Sequence, residues 1–552
     1  MRSVDEISDA YLDAFAGLNA CSATVLGLTG HDAEVTDFGP DGAAARAELN
    51  RRTLAELAAA PVASDHDRLA ARVLRDHLEA SIALRDAGAD EAELSAFGPV
   101  SDLRRATELL DRGPHTPWPD VLGRLRAMPA AVRGLRATLD AARAAGRVSA
   151  RRQVRNTADQ CDQMVEYLTG LAAGYDGSGG VRRGELEGVA AAACEAFAEL
   201  AGYLRTDLHA DAPARDAMGR DRYQVGARFF LGSRPDLAET YAWGWTELDR
   251  LAREMAAIAA RIAPGEPVRA VIDRLDADPA YRVTGRENFL AWIQDIADRA
   301  IADLDGVHFD IPAPLRTIEC HLTPTAAGGI YALPPTTDFS RPGTVWWTMT
   351  DDEMPVWTVP ATMYHEGVPG HHLQQGMTVY NADKLNRFQR AATELGHAGH
   401  VEGWGLYAER LMDELGHYAD PAYRFGMLAF GQRLRAARVV LDIGLHLELP
   451  IPDGTGFHDG ERWTRELAVE FLGDHLAVAD PAMVSFEVDR YLGVPGQAVA
   501  YKLGERAWFA VREHARRAQG TAFDLKSFHR DALDLGPMGL DAFTEEMTHH
   551  LA

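Results

Sequence analysis

The segment Thr362–Gln375 reads Thr-Met-Tyr-His-Glu-Gly-Val-Pro-Gly-His-His-Leu-Gln-Gln. Histidine followed by glutamate is the pairing that zinc hydrolases use. In a helical His-Glu-x-x-His the two imidazoles share one face and grip one ion, and the glutamate beside the first takes a proton from water. Here the second histidine stands at i+6 (His371) or i+7 (His372) from His365. On an unbroken helix i+6 is rotated away by about 120° and i+7 lies about 10 Å along the axis, so neither shares an ion with His365. The helix must therefore be interrupted, and Pro369-Gly370 supplies the interruption. Proline removes a backbone donor and clashes with the preceding turn, and glycine takes dihedrals that other residues avoid. A bulge there brings His371 back towards the place of a usual second ligand. A helix–loop junction with surface histidines would be written in the same letters, so other residues have to decide.

Catalytic zinc keeps three protein ligands and one open position. A glutamate on a later helix is one form of the third ligand, and Val401-Glu402-Gly403-Trp404-Gly405-Leu406-Tyr407-Ala408-Glu409 offers Glu402. Glu409, two turns further on, shares its face and can orient a ligand histidine from behind. His397 and His400 stand close by as further candidates, for the metal or for the lining of a pocket. A second cluster follows: Phe486-Glu487-Val488-Asp489-Arg490-Tyr491, then Pro495-Gly496-Gln497-Ala498-Val499-Ala500-Tyr501-Lys502. Amide hydrolysis builds an oxyanion, and a Tyr hydroxyl or a cation such as Arg490 or Lys502 stabilises one. An ordinary helix start after a Pro-Gly break would look the same.

The elements that must position these residues are mainly helical. Val4, Ile7, Tyr11, Leu12, Phe15 and Leu18 recur at helical spacing. Ser64 through Ala87 forms another such stretch with Ser64 as its N-cap. Val121–Ala145, Arg151–Ala173, Leu186–Leu208, Leu237–Ile262 and Glu287–Leu304 repeat the pattern, and Thr284 to Glu287 has capping-box spacing. From about residue 307 the texture changes. Val307–Ile311, Arg316–Leu322, Gly329–Leu333 and Gly343–Met349 are short, β-branched or aromatic, and separated by Pro and Gly. Helical periodicity returns near Pro360. The expected fold is mostly α, with one small sheet just before the metal helix. A soft boundary near 305 separates a helical N-terminal region, 1–305, from a catalytic region, 306–552, with one shared core possible.

The 552 residues carry a net charge of −26, so no basic surplus exists to neutralise phosphates, and a nucleic-acid partner is not expected. No apolar run approaches the length of a membrane span. The N-terminal residues are acidic where a signal peptide needs basic ones, which reads as a cytoplasmic protein. The four cysteines, Cys21, Cys161, Cys194 and Cys320, form no CxxC pair and read as small buried hydrophobes.

In these motifs the chain resembles the uncharacterised bacterial family called domain of unknown function 885. The resemblance is carried by His365-Glu366-x-x-Pro369-Gly370-His371-His372-Leu373-Gln374 and by Glu402-Gly403-Trp404-x-Leu406-Tyr407-Ala408-Glu409. Arg490-Tyr491 with Pro495-Gly496-Gln497-Ala498 and Tyr501-Lys502 adds a third motif, and Asp338-x-Ser340-Arg341-Pro342-Gly343 a fourth. That family is similar to mostly helical gluzincin peptidases of the thimet oligopeptidase and thermostable carboxypeptidase groups. The resemblance implies a two-lobed helical architecture and a zinc site in a groove that admits short peptides or small amides. It implies His365, His371 and Glu402 as ligands, with His371 chosen over His372, and Glu366 as general base. Tyr501, helped by Arg490 or Lys502, would hold the oxyanion. His372, His400, Glu409, Arg341 and Gln497 would stand behind the ligands or touch substrate. The chain departs from the family at Phe339, where Gly is frequent, at Trp346-Trp347-Thr348, and at Gly405, where Ala is common. Two rival readings remain: a metal-dependent enzyme acting on an amino-acid-like metabolite in a biosynthetic pathway, and a non-enzymatic helical binding protein. Glu366 argues against the second, because a purely structural metal needs no base beside its ligand.

Overall fold

Long amphipathic helices dominate the protein, as their spacing predicts. The structure is a computed structural model describing residues 2–111, 115–177, 179–323, 329–349, 351–392, 395–475 and 481–550. The expected helices form at Val4–Leu18, Asp65–Asp86, Trp118–Ala144, Arg151–Ala173, Leu237–Ile262 and Arg286–Leu304. Leu186–Leu208 is realised as an α-helix, Arg183–Tyr203, running into a π turn at Leu204–Leu208. Ser64 caps its helix as expected, its hydroxyl accepting from the Asp67 N–H. The capping box at Thr284 does not form. Thr284 is the last residue of a strand, Gly285 takes the cap position at φ 86°, and the Asn288 amide donates to the Thr284 carbonyl.

The chain divides into two units. The first is Met1–Gly226 with Asp489–Pro495, and the second is Ala227–Val488 with Gly496–Ala552. The division lies upstream of the change in sequence texture near 305. The reason is packing: Leu237–Ile262 lies against Leu434–Leu447, and Arg286–Leu304 lies against a strand and the metal helix. In the first unit Trp118–Ala144, Arg151–Ala173 and Arg183–Tyr203 enclose a core of Leu125, Met128, Cys161, Met164, Leu168 and Phe197. All four cysteines are free, and Cys21, Cys161 and Cys320 are buried.

The second unit holds two small sheets where one was expected. Strands β1 (Arg282–Thr284), β2 (Ile318–Leu322), β3 (Tyr331–Leu333), β4 (Gly343–Trp347) and β5 (Glu353–Pro355) are the described ones. β1 and β5 pair antiparallel on their own, and the other sheet runs β2-β4-β3. β4 is parallel to β2 and antiparallel to β3. Three β expectations hold in part, as β2, β3 and β4. Val307–Ile311 is instead a turn with a single bridge, Asp305 to Phe309, and the Ile311 N–H is taken by the Asp305 carboxylate. β4 is the central strand of its sheet, paired on both sides, so it offers no free edge. Its two tryptophans face opposite ways. Trp347 is buried against Phe289, and Trp346 stacks on His321 and Tyr331 across the sheet.

The helix that carries Glu402 and Glu409, Ala398–Glu414, lies along Ala500–Gln519. The two meet backbone to backbone: a Cβ on Gly504 would lie 1.8 Å from the Gly399 carbonyl oxygen. Trp404 and Trp508 fill the seam with ring centroids 4.7 Å apart. This contact leaves the first helix little freedom to shift along or away from its neighbour, and so fixes where its two glutamates stand.

A candidate metal centre

The metal helix is broken where the sequence predicts. Val359–Glu366 ends at Gly367, and a second helix, His371–Tyr380, begins after Gly370. The Val368–Pro369 peptide is cis. The break is closed by a wide i→i−5 turn, the His372 N–H donating to the Gly367 carbonyl at 3.1 Å. Glycine is required at 370, since a Cβ there would lie 1.9 Å from the His365 carbonyl oxygen. The Trp404 indole N–H reaches into the break, 2.9 Å from the Pro369 carbonyl and 3.1 Å from that of Gly370, which also accepts from the Gln374 N–H at 3.1 Å. Trp404 thus ties the bulge to the helix that bears Glu402. The sequence signal was there, in a tryptophan two residues past Glu402, but nothing local says which carbonyls it meets.

The bulge turns His371 towards His365. Their rings are 4.7 Å apart and nearly perpendicular. Glu402 Oε2 lies 3.3 Å from His365 Nε2 and 3.5 Å from His371 Nε2. Among the described residues, these three side chains form the group whose ligand atoms all lie within 4.8 Å of one another. Ligands about 2.0–2.1 Å from a tetrahedral zinc stand about 3.3 Å from each other, so both measured edges fit one ion, and two imidazoles with a carboxylate are a donor set zinc accepts. His372 faces elsewhere, with Nε2 3.0 Å from the Leu315 carbonyl oxygen.

Glu409 Oε1 lies 2.9 Å from His365 Nδ1, so it holds the ring from behind and leaves Nε2 for the centre. A methyl on Gly405 would come within 2.5 Å of the same ring, so the departure from Ala in this chain coincides with the space the imidazole occupies. The charges are equally telling. Burial pushes His365 down, but Glu402, Glu409 and Glu366 outweigh it and raise the imidazole to about 10. Glu402 would rise on burial, yet His365 and His371 hold it well below the usual carboxylate range. Burial raises Glu366, against the charges of His371 and His365. Three carboxylates around two histidines thus demand a positive charge, and a proton on His365 or a divalent ion answers the demand.

Other expected residues fall elsewhere. Lys502 is corrected as an oxyanion helper: it is fully buried and donates to Glu247, Gln432 and Glu505. Arg490 lies in the first unit, its guanidinium 4.9 Å from the Tyr491 ring and 5.7 Å from Phe97. His400 is enclosed by Trp508 and Phe543 and 3.4 Å from Gln374, and burial lowers it to about 3. His397 precedes the first turn of the Glu402 helix, buried and outside the three-residue group. Arg341 donates to the Pro334 and Pro342 carbonyls of its own loop, where Phe339 adopts φ 56°, a left-handed conformation that suits the family's glycine. Gln497 is half-buried in the turn before Ala500–Gln519.

Tyr501 opens that helix, its ring 4.9 Å from the Arg438 guanidinium and 5.6 Å from Arg435. Arg435 escaped the sequence reading, because nothing in Arg433-Leu434-Arg435 marks one arginine over its neighbours. It donates to the Phe430 carbonyl at 2.6 Å, and its charge acts on Glu366.

Comparison with known proteins adds the family and the fold. The model of the family described as "Bacterial protein of unknown function (DUF885)" matches residues 21–547. Curated proteins gave no match. Among solved structures, the chain is similar to a candidate lipoprotein from Colwellia psychrerythraea, with 21% identity and TM-score 0.84 over 100% of both chains. It is also similar to a candidate lipoprotein of unknown function from Shewanella oneidensis, with 18% identity and TM-score 0.72, over 99% of this chain and 100% of that one. Identities this low speak for the shared fold alone. No helix among the described residues is long and apolar enough to cross a membrane.

Proposed function

The chain belongs to the DUF885 family, and from the centre it builds we propose that it is a zinc-dependent hydrolase of amide bonds in short peptides, related in mechanism to the helical gluzincins. One observation carries the reading: Glu402 Oε2 lies 3.3 Å from His365 Nε2 and 3.5 Å from His371 Nε2, the three donor groups fall within 4.8 Å of one another, and Glu366 follows the first ligand in sequence. His365, His371 and Glu402 would hold the ion. Zinc bound there supplies Lewis acidity, polarising a carbonyl and acidifying water. Glu366 accepts the proton of the attacking water and passes it to the leaving amine. Its raised affinity for a proton suits that double duty, since a carboxylate that binds a proton too weakly removes one poorly. Tyr501 donates its hydroxyl to the oxygen that gains charge, and Arg435, 5.6 Å from the Tyr501 ring and acting by its charge on Glu366, adds a cation.

Purification with zinc present is expected to give about one zinc per chain by elemental analysis, lost on replacing His371 and kept on replacing His372. A screen of short peptides against small acylated amines then fixes the substrate class. Turnover of the amines alone would move the reading to a small-metabolite hydrolase, and a protein that takes up no zinc would end it.

A further inference from the structure

Behind His365 runs a buried chain of hydrogen bonds that reaches a residue far from the metal centre. Lys502 Nζ lies 2.7 Å from Gln432 Oε1. Gln432 Nε2 lies 3.4 Å from Glu409 Oε2 and 3.4 Å from the Leu406 carbonyl oxygen. Glu409 Oε1 lies 2.9 Å from His365 Nδ1. Lys502, Gln432 and Glu409 are all buried.

The polarity of this chain is set from its far end. An ammonium has three N–H bonds and no lone pair, so it can only donate. The atom of Gln432 that faces Lys502 must therefore be the amide oxygen, and the amide nitrogen must face the other way. There it meets two groups that accept, the Leu406 carbonyl and Glu409 Oε2, and its two hydrogens serve both. Glu409 Oε1 is then an acceptor, and Nδ1 of His365 is the nitrogen that donates. In the neutral ring this leaves the lone pair on Nε2, the nitrogen that faces Glu402 and His371. The remaining donors of Lys502 are absorbed by Glu247 and Glu505, and Glu247 is gripped in turn by two nitrogens of Arg250 at 2.7 Å each. The far end of the relay is therefore anchored as well as charged.

We propose that Lys502 is a positioning residue: acting through Gln432 and Glu409, it decides which nitrogen of His365 carries a proton and which stays open to a metal. The inference rests on the zinc reading above. It places Lys502, a residue of the Pro-Gly-Gln-Ala…Tyr-Lys motif, at the base of the metal site and away from the substrate.

The test uses the full chain with Gln432→Leu and Lys502→Met. Gln432→Leu keeps the side-chain bulk and leaves Lys502 its two carboxylates, so it serves even where Lys502→Met, which strips the counterion from Glu247 and Glu505, does not fold. Zinc affinity is read by chelator competition, and the His365 tautomer by nitrogen-15 NMR of the zinc-loaded protein. The expected result is zinc binding weakened by about 10–100-fold, with the His365 Nδ1–H signal shifted or lost to exchange. A purely structural role would lower the melting temperature but leave both readouts at wild-type values, and that result overturns the proposal while the zinc reading stands. A wild-type chain that binds no zinc overturns both.

Discussion

Glu366→Gln is expected to lower turnover by about 10²–10⁴-fold or more while zinc content and melting temperature stay at wild-type values. The amide is nearly isosteric with the carboxylate, and Glu366 stands outside the three-residue ligand group, so neither shape nor metal should be lost. What is lost is the proton acceptor that follows the first ligand in sequence. Burial raises the Glu366 carboxyl above its ordinary value, and this makes it a better base as well as a usable acid towards the amine. Tyr501→Phe should act differently. Its hydroxyl is assigned to charge that exists only in the transition state, so kcat falls by about 10²–10³-fold with KM nearly unchanged. The pair separates the two roles by kinetics on one peptide. If Glu366→Gln keeps a tenth of wild-type turnover, the general base is another residue. If Tyr501→Phe keeps kcat, the oxyanion partner moves to Arg435.

The second large effect is on metal uptake. Apparent zinc affinity should rise by about tenfold per pH unit from near pH 7 towards pH 9, or about 100-fold over that range. The sign follows from His365. Its imidazole is raised from the ordinary value of 6.5 to about 10 in the folded, zinc-free protein, because Glu402 and Glu409 hold its proton against burial. Below pH 10 zinc must displace that proton, so acid competes with the metal and alkali helps it. The same linkage acts on stability. Protonated His365 stabilises the zinc-free fold fully below pH 6.5, and this contribution is lost as pH rises through about 10. The rise in melting temperature on adding zinc should therefore grow with pH across that window. Calorimetric titration in buffers of different ionisation enthalpy counts the protons released. Uptake without proton release, or affinity flat between pH 7 and 9, would show that His365 is already neutral in the zinc-free protein.

The candidate centre was legible because it is mostly local. The break at Pro369-Gly370, and hence the turning of His371 towards His365, follows from what proline and glycine do to a helix within a few residues. The two turns between Glu402 and Glu409 follow from helical geometry, which places both on one face. Seven helical stretches between Val4 and Leu304 were equally readable, because apolar periodicity reports burial of one face without reference to the partner, whereas the helices Pro40–Ala59 and Arg220–Leu231 were not read.

What the sequence left open depends on partners far along the chain. Trp404 reads as one more core aromatic until the bulge it caps is placed against it. β4 reads as one short strand among several until β2 and β3 take both of its sides. Lys502 beside Tyr501 reads as a cation for the oxyanion, but on a helix adjacent residues point about 100° apart, and the tertiary contacts give Tyr501 to Arg435 and Arg438 and bury Lys502 among Glu247, Gln432 and Glu505. Gln432 carries no signal of its own, since an isolated glutamine in a helical run matches any solvated face. By itself the sequence determined the residue types of the centre and the broken helix that presents two of them. Only the folded chain decided which donors stand behind the ligands, because hydrogen-bond partners 23 to 255 positions apart are brought together by packing and not by spacing.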